Sequence, residues 1–352
     1  TGIGTIFFGG PGHDAFGLLA SGRRKGKVEM KRMMIGVGLI LFILEGLPTF
    51  AWSGAPDGSR FRPVTVLLDW FVNPDHAPLY VTQEKGFFRE RGLDVTFIAP
   101  SNPNDPPKLV AAQKADLAVS YQHQHHLQVA QGLPLVRVAT LVATPLNCLV
   151  VMADGNIRSL ADLKGKTIGY SIGGFETILL KVMLAKSGLS LGDVHLVNVN
   201  FSLSPSLLSG KTDAVIGAFR NFELTQMDLE GRPGRAFFVE EHGIPPYDEL
   251  IVISHQVRSN DPMVRQFVDA LEAGVQFMIN HPDESWKLFI RGRKDLDDEL
   301  NRRAWEDTLP RFALRPGALD RERYQRFAEF LKTQGMISTV LPLELYAIEP
   351  GR

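Results

Sequence analysis

Cysteine is nearly absent from this chain of 352 residues, which contains one, Cys148. A single thiol excludes an internal disulfide framework, a zinc site made of several cysteines and an iron–sulfur cluster held by four thiolates. An excess of basic residues is also lacking, because 38 Lys and Arg balance 39 Asp and Glu. That balance argues against a nucleic-acid-binding protein, which usually presents a strongly basic face. With 44% hydrophobic residues, the chain can bury a sizeable core, and its length predicts about two domains.

Long apolar runs are scarce, and the first lies close to the N-terminus. A short basic stretch precedes an apolar run at residues 33–44, which Glu45 interrupts before the roughly 20 residues that span a membrane. Small residues then precede a cleavage point before Gly54. This arrangement predicts a cleaved signal peptide at residues 30–53 and therefore an exported protein. Residues 1–29 lack periodicity and are interpreted as an upstream extension that is untranslated or disordered.

From residue 63 onward, short apolar runs alternate with helical stretches, as in the βαβ units of a parallel sheet covered by helices. The alternation predicts strands at residues 64–68, 95–98, 117–120, 167–170, 194–197 and 214–217. It predicts helices at residues 75–89, from 106, at 177–186 and at 205–208. Any two βαβ units share this outline. However, the segments 109–116 and 207–213 both carry Lys-x-Asp before an equivalent strand, which favours a pair of related lobes.

The C-terminal part of the chain has no further βαβ alternation. It predicts one strand at residues 250–254 and amphipathic helices at 262–280 and 321–333. We expect this part to pack on the first lobe, so that the chain crosses between the lobes near residues 147–152 and 248–254. Two crossing strands form a hinge that suits closure around a ligand. The predicted fold is α/β, with two doubly wound lobes joined by a two-strand hinge. The predicted bounds are 63–147 plus 250–345 for the first lobe and 148–249 for the second.

Candidate ligand-binding residues are those that follow the predicted strands, since ligands of open α/β sheets bind outside the carboxyl ends of the strands. Most of them carry an aromatic ring, an amide, a hydroxyl or a carboxylate, two are glycines and one is a histidine. Asn147 is included because it lies near a crossing. The candidates are Asp69, Trp70, Asn73, His76, Ser120, Tyr121, Gln122, Asn147, Tyr170, Gly173, Gly174, Phe175, Glu176, Asn221 and Glu223. Only Arg220 is basic in these turns, although an anionic ligand usually recruits Arg or Lys. A flat, uncharged, nitrogen-rich ring fits better, because Trp70 or a tyrosine could stack on it. Glu176 or Glu223 could accept hydrogen bonds from its exocyclic amine.

Each of these residues also has a structural interpretation. Asp and Asn commonly cap helices, and Trp70 and Phe175 could belong to the core. The pair Gly173-Gly174 lacks the lysine of a phosphate-binding loop and the three-glycine spacing of a dinucleotide site, so we predict a turn that approaches a ligand closely. His123, His125 and His126 have no nearby carboxylate to complete a ligand set, so we predict no metal site. Serine-based hydrolysis is not predicted, and we predict no catalytic residue and no cofactor.

At these residues the chain resembles the NMT1/THI5-like group of periplasmic solute-binding proteins, also called SsuA/THI5-like. It is most similar there to the proteins that bind thiamine pyrimidine precursors for ABC importers. The resemblance extends over residues 63–342. Its broader motifs are Gly-Leu-Asp-Val at 92–95 and Leu-Lys-Gly-Lys at 163–166. The more specific ones are Asp-Trp at 69–70, Ser-Tyr-Gln at 120–122, Gly-Gly-Phe-Glu at 173–176 and Asn-x-Glu at 221–223.

The resemblance implies a type II periplasmic-binding-protein fold that captures formylaminopyrimidine or hydroxymethylpyrimidine. The partners it implies are this small ligand and a membrane permease with its ATPase. The protein is then expected to be a monomer in the periplasm and not an enzyme. Fungal relatives build the pyrimidine from pyridoxal phosphate and histidine with iron. In this chain Ser120 corresponds to their Schiff-base lysine and Gln124 to their donor histidine. Residues 245–253 correspond to their cysteine-rich stretch, and this segment of the chain contains no cysteine. A synthase, or a binding protein for a flavin, a nitrile-like compound or a sulfonate, remains the alternative.

Overall fold

The computed structural model describes residues 61–174 and 176–351. Within them the strands are β1 (Arg62–Leu67), β2 (Leu93–Ile98), β3 (Leu117–Ser120), β4 (Leu135–Val142), β5 (Asn147–Met152), β6 (Thr167–Tyr170), β7 (His195–Asn198), β8 (Ala214–Phe219), β9 (Gly234–Phe238) and β10 (Leu250–His255). The helices are α1 (Ala77–Glu84), α2 (Phe87–Glu90), α3 (Pro106–Ala111), α4 (Gln122–Ala130), α5 (Glu176–Ala185), α6 (Leu203–Leu208), α7 (Glu223–Leu229), α8 (Pro262–Asn280), α9 (Pro282–Phe289), α10 (Glu299–Thr308) and α11 (Arg321–Thr333). Among the short 3-10 helices are Pro74–His76 and Leu160–Leu163.

The strands form two five-stranded sheets with the same arrangement. The first sheet has the order β2-β1-β3-β10-β4, and the second has the order β7-β6-β8-β5-β9. In the first sheet β1, β2 and β3 are parallel, whereas β10 runs antiparallel to both of its neighbours. In the second sheet β5 takes the corresponding antiparallel position. We call the first sheet with the turns that follow its strands the first lobe, and its counterpart the second lobe.

The repeated Lys-x-Asp has a structural role that is the same in both lobes. The Asp116 carboxylate accepts a hydrogen bond of 2.8 Å from the backbone N–H of Thr65 in β1. The Asp213 carboxylate accepts one of 2.8 Å from the N–H of Thr167 in β6. Each aspartate therefore joins the start of one strand to its neighbour. The relation between the lobes that the sequence predicts is confirmed by the matching sheets.

The residue before each Lys-x-Asp adopts a left-handed backbone at the end of a helix. Gly210 has a φ of +73°, and Gln113, its counterpart after α3, has a φ of +55°. An L-residue other than glycine is strained in this region by about 1–2 kcal/mol, whereas glycine is not. The two lobes thus form the same turn with different residues, and only the second lobe has a glycine, the residue that favours a positive φ.

Replacing Gln113 with glycine is expected to stabilise the protein. The relief of left-handed strain exceeds the entropy that glycine adds to the unfolded chain, so the free energy of unfolding should rise by about 0.5 kcal/mol. Chemical denaturation measures this change. Lys114→Gly, at the next exposed position and without a positive φ, should lower the stability instead. A Gln113→Gly protein that unfolds at lower denaturant than the wild type contradicts the argument.

The chain crosses between the sheets twice, as predicted. It passes from β4 in the first sheet to β5 in the second, and it returns from β9 to β10. The C-terminal helix α8 then packs against α1 and α2 beside the first sheet. The predicted bounds of α8 and α11 are confirmed, because their apolar residues recur at helical spacing. The bounds of the two lobes stay a prediction.

One expectation about local structure was wrong, and two strands were not predicted. The helix expected at residues 75–89 is divided, since Gly86 ends α1 with a φ of +79°. No strand was expected at β4, where Arg137 interrupts the apolar run. Its buried guanidinium donates hydrogen bonds to the carbonyls of Pro316 and Ala318, so the strand tolerates the charge. No strand was expected at β9 either, which has Arg235 among its half-buried residues.

The predicted signal peptide and upstream extension lie outside the described residues. Within the described part of the chain, no helix combines the length and the apolar character needed to cross a membrane.

Candidate functional site

A cavity lies between the two lobes at the carboxyl ends of their parallel strands. It encloses about 400 Å³, part of which is open to solvent. Both lobes contribute to its lining, which consists of Asp69, Trp70, Asn73, Asp75, Tyr121, Leu203, Gly217, Phe219, Phe222, Glu223 and Leu250. This position is the one that open α/β sheets commonly offer to ligands. The sequence analysis named five of these residues as candidates: Asp69, Trp70, Asn73, Tyr121 and Glu223.

Asp69 organises the wall of the first lobe. One of its oxygens lies 2.8 Å from Nε2 of His76, and the other accepts a 2.7 Å hydrogen bond from the Tyr121 hydroxyl. The backbone N–H of Asn73 donates to Nδ1 of His76, so the ring proton lies on Nε2 and is donated to Asp69. Because both oxygens of Asp69 have protein donors, this carboxylate orients Tyr121 and His76. Burial raises the pKa of Tyr121 well above its ordinary value, which keeps its hydroxyl a donor.

Glu176 is the first residue of α5, and its buried carboxyl group lies behind Gly217, a residue of the cavity lining. Its Oε2 accepts hydrogen bonds from the backbone N–H groups of Ser171 at 2.7 Å and Ile172 at 3.1 Å. Its Oε1 lies against Gly217, and no described residue hydrogen-bonds to it. A Cβ atom at Gly217 would lie 2.3 Å from Oε1. Since Gly217 lines the cavity, the carboxyl group reaches the cavity wall only because position 217 has no side chain.

Gly217 owes its conformation to a bulge in β8. In the pairing with β5, Cys148 faces Ala218 and Leu149 faces Ile216, so Gly217 has no partner. Its φ of +100° lies in the region that favours glycine. A bulge beside a ligand site re-aims the adjoining backbone, and here it makes room for Glu176.

Two further carboxyl groups face the cavity. The Oε2 atom of Glu223 accepts a 2.7 Å hydrogen bond from the backbone N–H of Phe219. The Oδ1 atom of Asp75 accepts one of 2.7 Å from the Asn221 amide and lies 2.9 Å from the Thr308 hydroxyl. Because Asn221 belongs to the second lobe and Asp75 to the first, this buried contact joins the lobes at the site.

The three carboxyl groups share a raised pKa and one pattern of hydrogen bonding. Burial raises the pKa of Asp75 to about 6, of Glu223 to about 7 and of Glu176 to about 8. In each, one oxygen accepts from a protein donor, and no hydrogen bond from another described residue reaches the second oxygen. A protonated carboxyl group offers a donor and an acceptor, so the site can pair with a ligand edge that carries both.

Aromatic rings close the cavity around these carboxyl groups. Trp70 of the first lobe and Phe222 of the second are both in the lining. The Trp70 ring meets Phe201 of the second lobe at 4.6 Å between centroids, with an interplanar angle of 66°. Phe71, which is 41% exposed, lies 5.9 Å from Phe222 and 6.5 Å from Phe201. The two lobes therefore meet through rings at the mouth of the cavity.

Arg220, the basic residue that the sequence places nearest the site, forms its hydrogen bonds with residues outside the cavity lining. Its guanidinium forms two hydrogen bonds to Glu240, at 2.7 and 2.9 Å, and lies 4.1 Å from the Phe238 ring. It also donates to the carbonyls of Leu146 and Asn147 in the first crossing. None of the residues that line the cavity is Lys, Arg or His. The lining therefore suits a ligand without negative charge.

The family model described as NMT1/THI5 like matches residues 73–285 of the chain. The chain belongs to the NMT1/THI5-like family. This confirms the family resemblance that the sequence motifs indicated.

Three relatives show what the family contains. A Haemophilus influenzae protein, whose name assigns it provisionally to thiamine biosynthesis, is 49% identical over 321 residues, covering 91% of this chain and 99% of its own. The formylaminopyrimidine-binding protein of Halalkalibacterium halodurans is 35% identical and covers 78% of this chain and 83% of its own. A 4-amino-5-hydroxymethyl-2-methylpyrimidine phosphate synthase of Schizosaccharomyces pombe is 25% identical, covering 71% and 75%. The NMT1/THI5-like family thus includes binding proteins and synthases.

Solved structures confirm the fold. The alkanesulfonate-binding protein SsuA of Xanthomonas axonopodis superposes with a TM-score of 0.65 at 18% identity, covering 81% of this chain and 97% of its own. At this identity the likeness concerns the fold alone. The expected α/β fold of periplasmic binding proteins, with two lobes and two crossings, is therefore shown for this NMT1/THI5-like protein.

The other candidate residues lie around the cavity rather than in its lining. Ser120 donates to Gln124 at 3.3 Å, while Gln122 accepts from the N–H of Asp248 at 2.7 Å. Asn147 begins β5, and its N–H donates to Glu249 at 2.9 Å. Asn221 and His76 contact lining residues, as described above. Their roles toward a ligand stay a prediction.

The glycine turn after β6 contacts the other lobe. The N–H of Gly173 donates a 3.0 Å hydrogen bond to the side chain of Asn104, which follows β2. Gly174 has a φ of +89°, and Tyr170 ends β6 half-buried. Phe175 lies outside the described residues. The turn thus lies at the rim, where it joins the lobes through backbone groups.

The three histidines of α4 face different partners. Nε2 of His125 lies 2.7 Å from the carbonyl of Tyr346, and Nε2 of His126 lies 3.3 Å from the amide of Gln122. His123 lies 3.4 Å from Glu249. Burial lowers the pKa of all three rings. Among residues 61–174 and 176–351, no group of three or more His, Cys, Asp or Glu has an arrangement that could hold a metal ion.

Sequence reasoning missed four residues that shape the site: Asp75, Phe201, Gly217 and Phe222. Asp75 and Phe222 stand in the turns after β1 and β8 but were not selected. Phe201 and Gly217 shape the site through contacts between segments far apart in the chain. A single glycine inside a predicted strand is a known sign of a bulge, and that sign could have singled out Gly217.

Proposed function

We propose that this protein is the substrate-binding component of an ABC importer and that it captures an aminopyrimidine precursor of thiamine. The ligand proposed is formylaminopyrimidine or hydroxymethylpyrimidine, bound between the lobes and delivered to a permease and its ATPase. The proposed location is the periplasm, reached through the signal peptide. The name of the Halalkalibacterium halodurans relative supports this ligand class.

One observation carries the proposal: carboxyl groups with a single oxygen engaged by the protein surround a cavity that also holds Trp70. An aminopyrimidine presents a ring nitrogen, which accepts a hydrogen bond, beside an exocyclic amine, which donates. A carboxyl group can pair with this edge, because its hydroxyl donates to the nitrogen and its carbonyl accepts from the amine. Glu176 and Glu223 are the residues proposed to do so. Trp70 is proposed to stack on the ring.

Two observations weigh against the alternatives. A sulfonate would meet Asp75 and Glu223 without a basic residue in the lining, and burial of an unpaired anion beside carboxylates is costly. For a synthase, the position of the Schiff-base lysine is Ser120, whose hydroxyl bonds to Gln124. Neither side chain has an amine that could form an imine. We therefore propose binding without chemical conversion.

Calorimetry with the purified protein tests the ligand. Formylaminopyrimidine and hydroxymethylpyrimidine should each be titrated, with an alkanesulfonate and pyridoxal phosphate as comparison compounds. Binding of either pyrimidine with an affinity at least tenfold above the comparison compounds is expected. Native mass spectrometry of the protein as isolated should show the mass of the pyrimidine that copurifies. Tighter binding of the sulfonate, or conversion of pyridoxal phosphate, would overturn the proposal.

Replacing Glu223 with leucine is expected to weaken pyrimidine binding by about 10- to 100-fold. Leucine has no group that accepts a hydrogen bond from the Phe219 N–H, and none that pairs with the ring nitrogen and the amine of the ligand. Loss of a hydrogen bond to a buried polar group costs about 1–3 kcal/mol. Calorimetry measures the change. Glu230→Leu, at the exposed end of α7, is the matched control and should keep the wild-type affinity. Equal affinities in the two variants would remove Glu223 from the site.

A further inference from the structure

Phe201 contacts the first lobe although it belongs to the second. It follows β7 and precedes α6, in a turn where Asn200 has a φ of +53°. Its ring is half-buried and meets the edge of Trp70 at 4.6 Å between centroids. Trp70 lines the cavity, whereas Phe201 does not. The ring of Phe201 therefore acts on the cavity only through Trp70.

The turn that contains Phe201 is hydrogen-bonded to Ser171, the residue that also binds the Glu176 carboxyl group. The hydroxyl of Ser171 donates to the carbonyl of Asn200, and the amide of Asn198 donates to the carbonyl of Ser171 at 3.3 Å. Ser171 in turn gives its N–H to Glu176. Because one residue holds both the carboxyl group and the turn, the position of Phe201 is set together with that of Glu176.

Trp70 is half-buried and packs against the apolar cluster of the second lobe that includes Leu203. Its ring neighbours among the described residues are Phe71 and Phe201, with centroids at 5.6 Å and 4.6 Å. Phe71 is adjacent in sequence and partly exposed. The ring that contacts the indole from the opposite lobe is therefore Phe201.

From this geometry we infer that Phe201 is a positioning residue, which holds the Trp70 indole in the orientation that stacks on the ligand and couples stacking to lobe closure. The inference rests on the proposed function, since it assigns Trp70 the stacking role. An edge-to-face pair contributes enough to change affinity by about 3- to 10-fold. The effect should be carried by the dissociation rate, because the contact joins the two lobes and has to break before a bound ligand leaves.

The first test needs no ligand. Acrylamide quenches tryptophan fluorescence, and the contribution of Trp70 is found by subtraction. For the wild type and for each variant, the quenching is measured with Trp70 present and again with Trp70→Phe added, and the difference is assigned to Trp70. We expect this quenching to increase at least about twofold in Phe201→Leu, because the indole loses its edge contact. Phe237→Leu changes a half-buried ring of β9 in the same lobe and should leave it unchanged. Unchanged quenching in Phe201→Leu overturns the inference, whether or not the protein binds a pyrimidine.

The second test is a double-mutant cycle with the pyrimidine found by calorimetry, measured by stopped flow. Phe201→Leu should raise the dissociation rate about 3- to 10-fold with little change in association rate. In the Trp70→Phe background the same substitution should have less than about a twofold effect, since coupled residues are not additive. Phe201→Tyr should restore most of the wild-type rate. Additive effects contradict the inference. A wild-type protein that binds neither pyrimidine contradicts the proposed function, and the quenching result still decides the role of Phe201.

Discussion

Replacing Gly217 with alanine is expected to cause a large loss of ligand affinity. The new Cβ would lie 2.3 Å from Oε1 of Glu176 and 2.5 Å from its Cδ, so the carboxyl group must leave its place. Since the proposed pairing of Glu176 with the ligand would be lost, affinity should fall by about 100-fold. The φ of +100° adds strain of about 1–2 kcal/mol, and the free energy of unfolding should fall by at least that amount. Calorimetry and chemical denaturation measure the two changes.

Gly210→Ala is the matched control for this experiment. Gly210 also has a positive φ, of +73°, but nothing lies within 4 Å of a Cβ placed there. It should therefore lose about 1–2 kcal/mol of stability while the affinity remains that of the wild type. If Gly217→Ala reduced stability alone and bound the pyrimidine normally, Glu176 would not contact the ligand.

The stability of the unliganded protein is expected to fall as the pH rises toward 8. Burial raises the pKa of the Glu176 carboxyl from 4.5 to about 8, so the folded chain holds a proton that the unfolded chain releases. Between these pH values folding takes up a proton, and the free energy of unfolding decreases with pH by about 1.4 kcal/mol per unit for one such group. This stabilisation is fully present below pH 4.5 and is lost as the pH passes 8. Asp75 and Glu223 act in the same direction up to about pH 6 and 7.

Glu176→Gln should remove the part of this dependence that extends to the highest pH. Its free energy of unfolding should become nearly constant between pH 7 and 8, where Glu176 is the carboxyl group of the site that still titrates. Denaturation curves at half-unit intervals from pH 5 to 8.5 measure the slopes. Glu299→Gln changes an exposed carboxylate whose pKa Arg303 and Arg302 lower, so its curve should stay parallel to that of the wild type in this range. A Glu176→Gln curve parallel to the wild type would show that Glu176 ionises normally.

Much of the architecture could be predicted from the sequence because local patterns specify it. The helices α8 and α11 have apolar residues at helical spacing, and their bounds were predicted correctly. The repeated Lys-x-Asp marked equivalent turns, because each aspartate holds the neighbouring strand. By contrast, β4 was missed, since the partners that make Arg137 tolerable in a strand come from carbonyls about 180 residues away.

The candidate site could be predicted where it depends on strand ends. Asp69 and Tyr121 follow the adjacent strands β1 and β3, and parallel strands bring their carboxyl ends together. Glu223 could be named for the same reason in the second lobe. Phe201 could not, because its contact with Trp70 depends on how the lobes face each other. Gly217 could have been named as the sign of a bulge, but the sequence does not show that Glu176 fills the space that this glycine provides.

The sequence alone determined the family, the pair of related α/β lobes, the double crossing and the chemical character of the turns that face the cavity. These features follow from periodicity, local motifs and residue type, which are properties of neighbours in the chain. Only the tertiary structure decided which oxygen of each carboxyl group is engaged, that Arg220 is directed to Glu240, and that Phe201 meets Trp70. Hydrogen bonding and burial are set by side chains from distant segments. The charge and direction of a buried group are therefore known only when those segments are packed together.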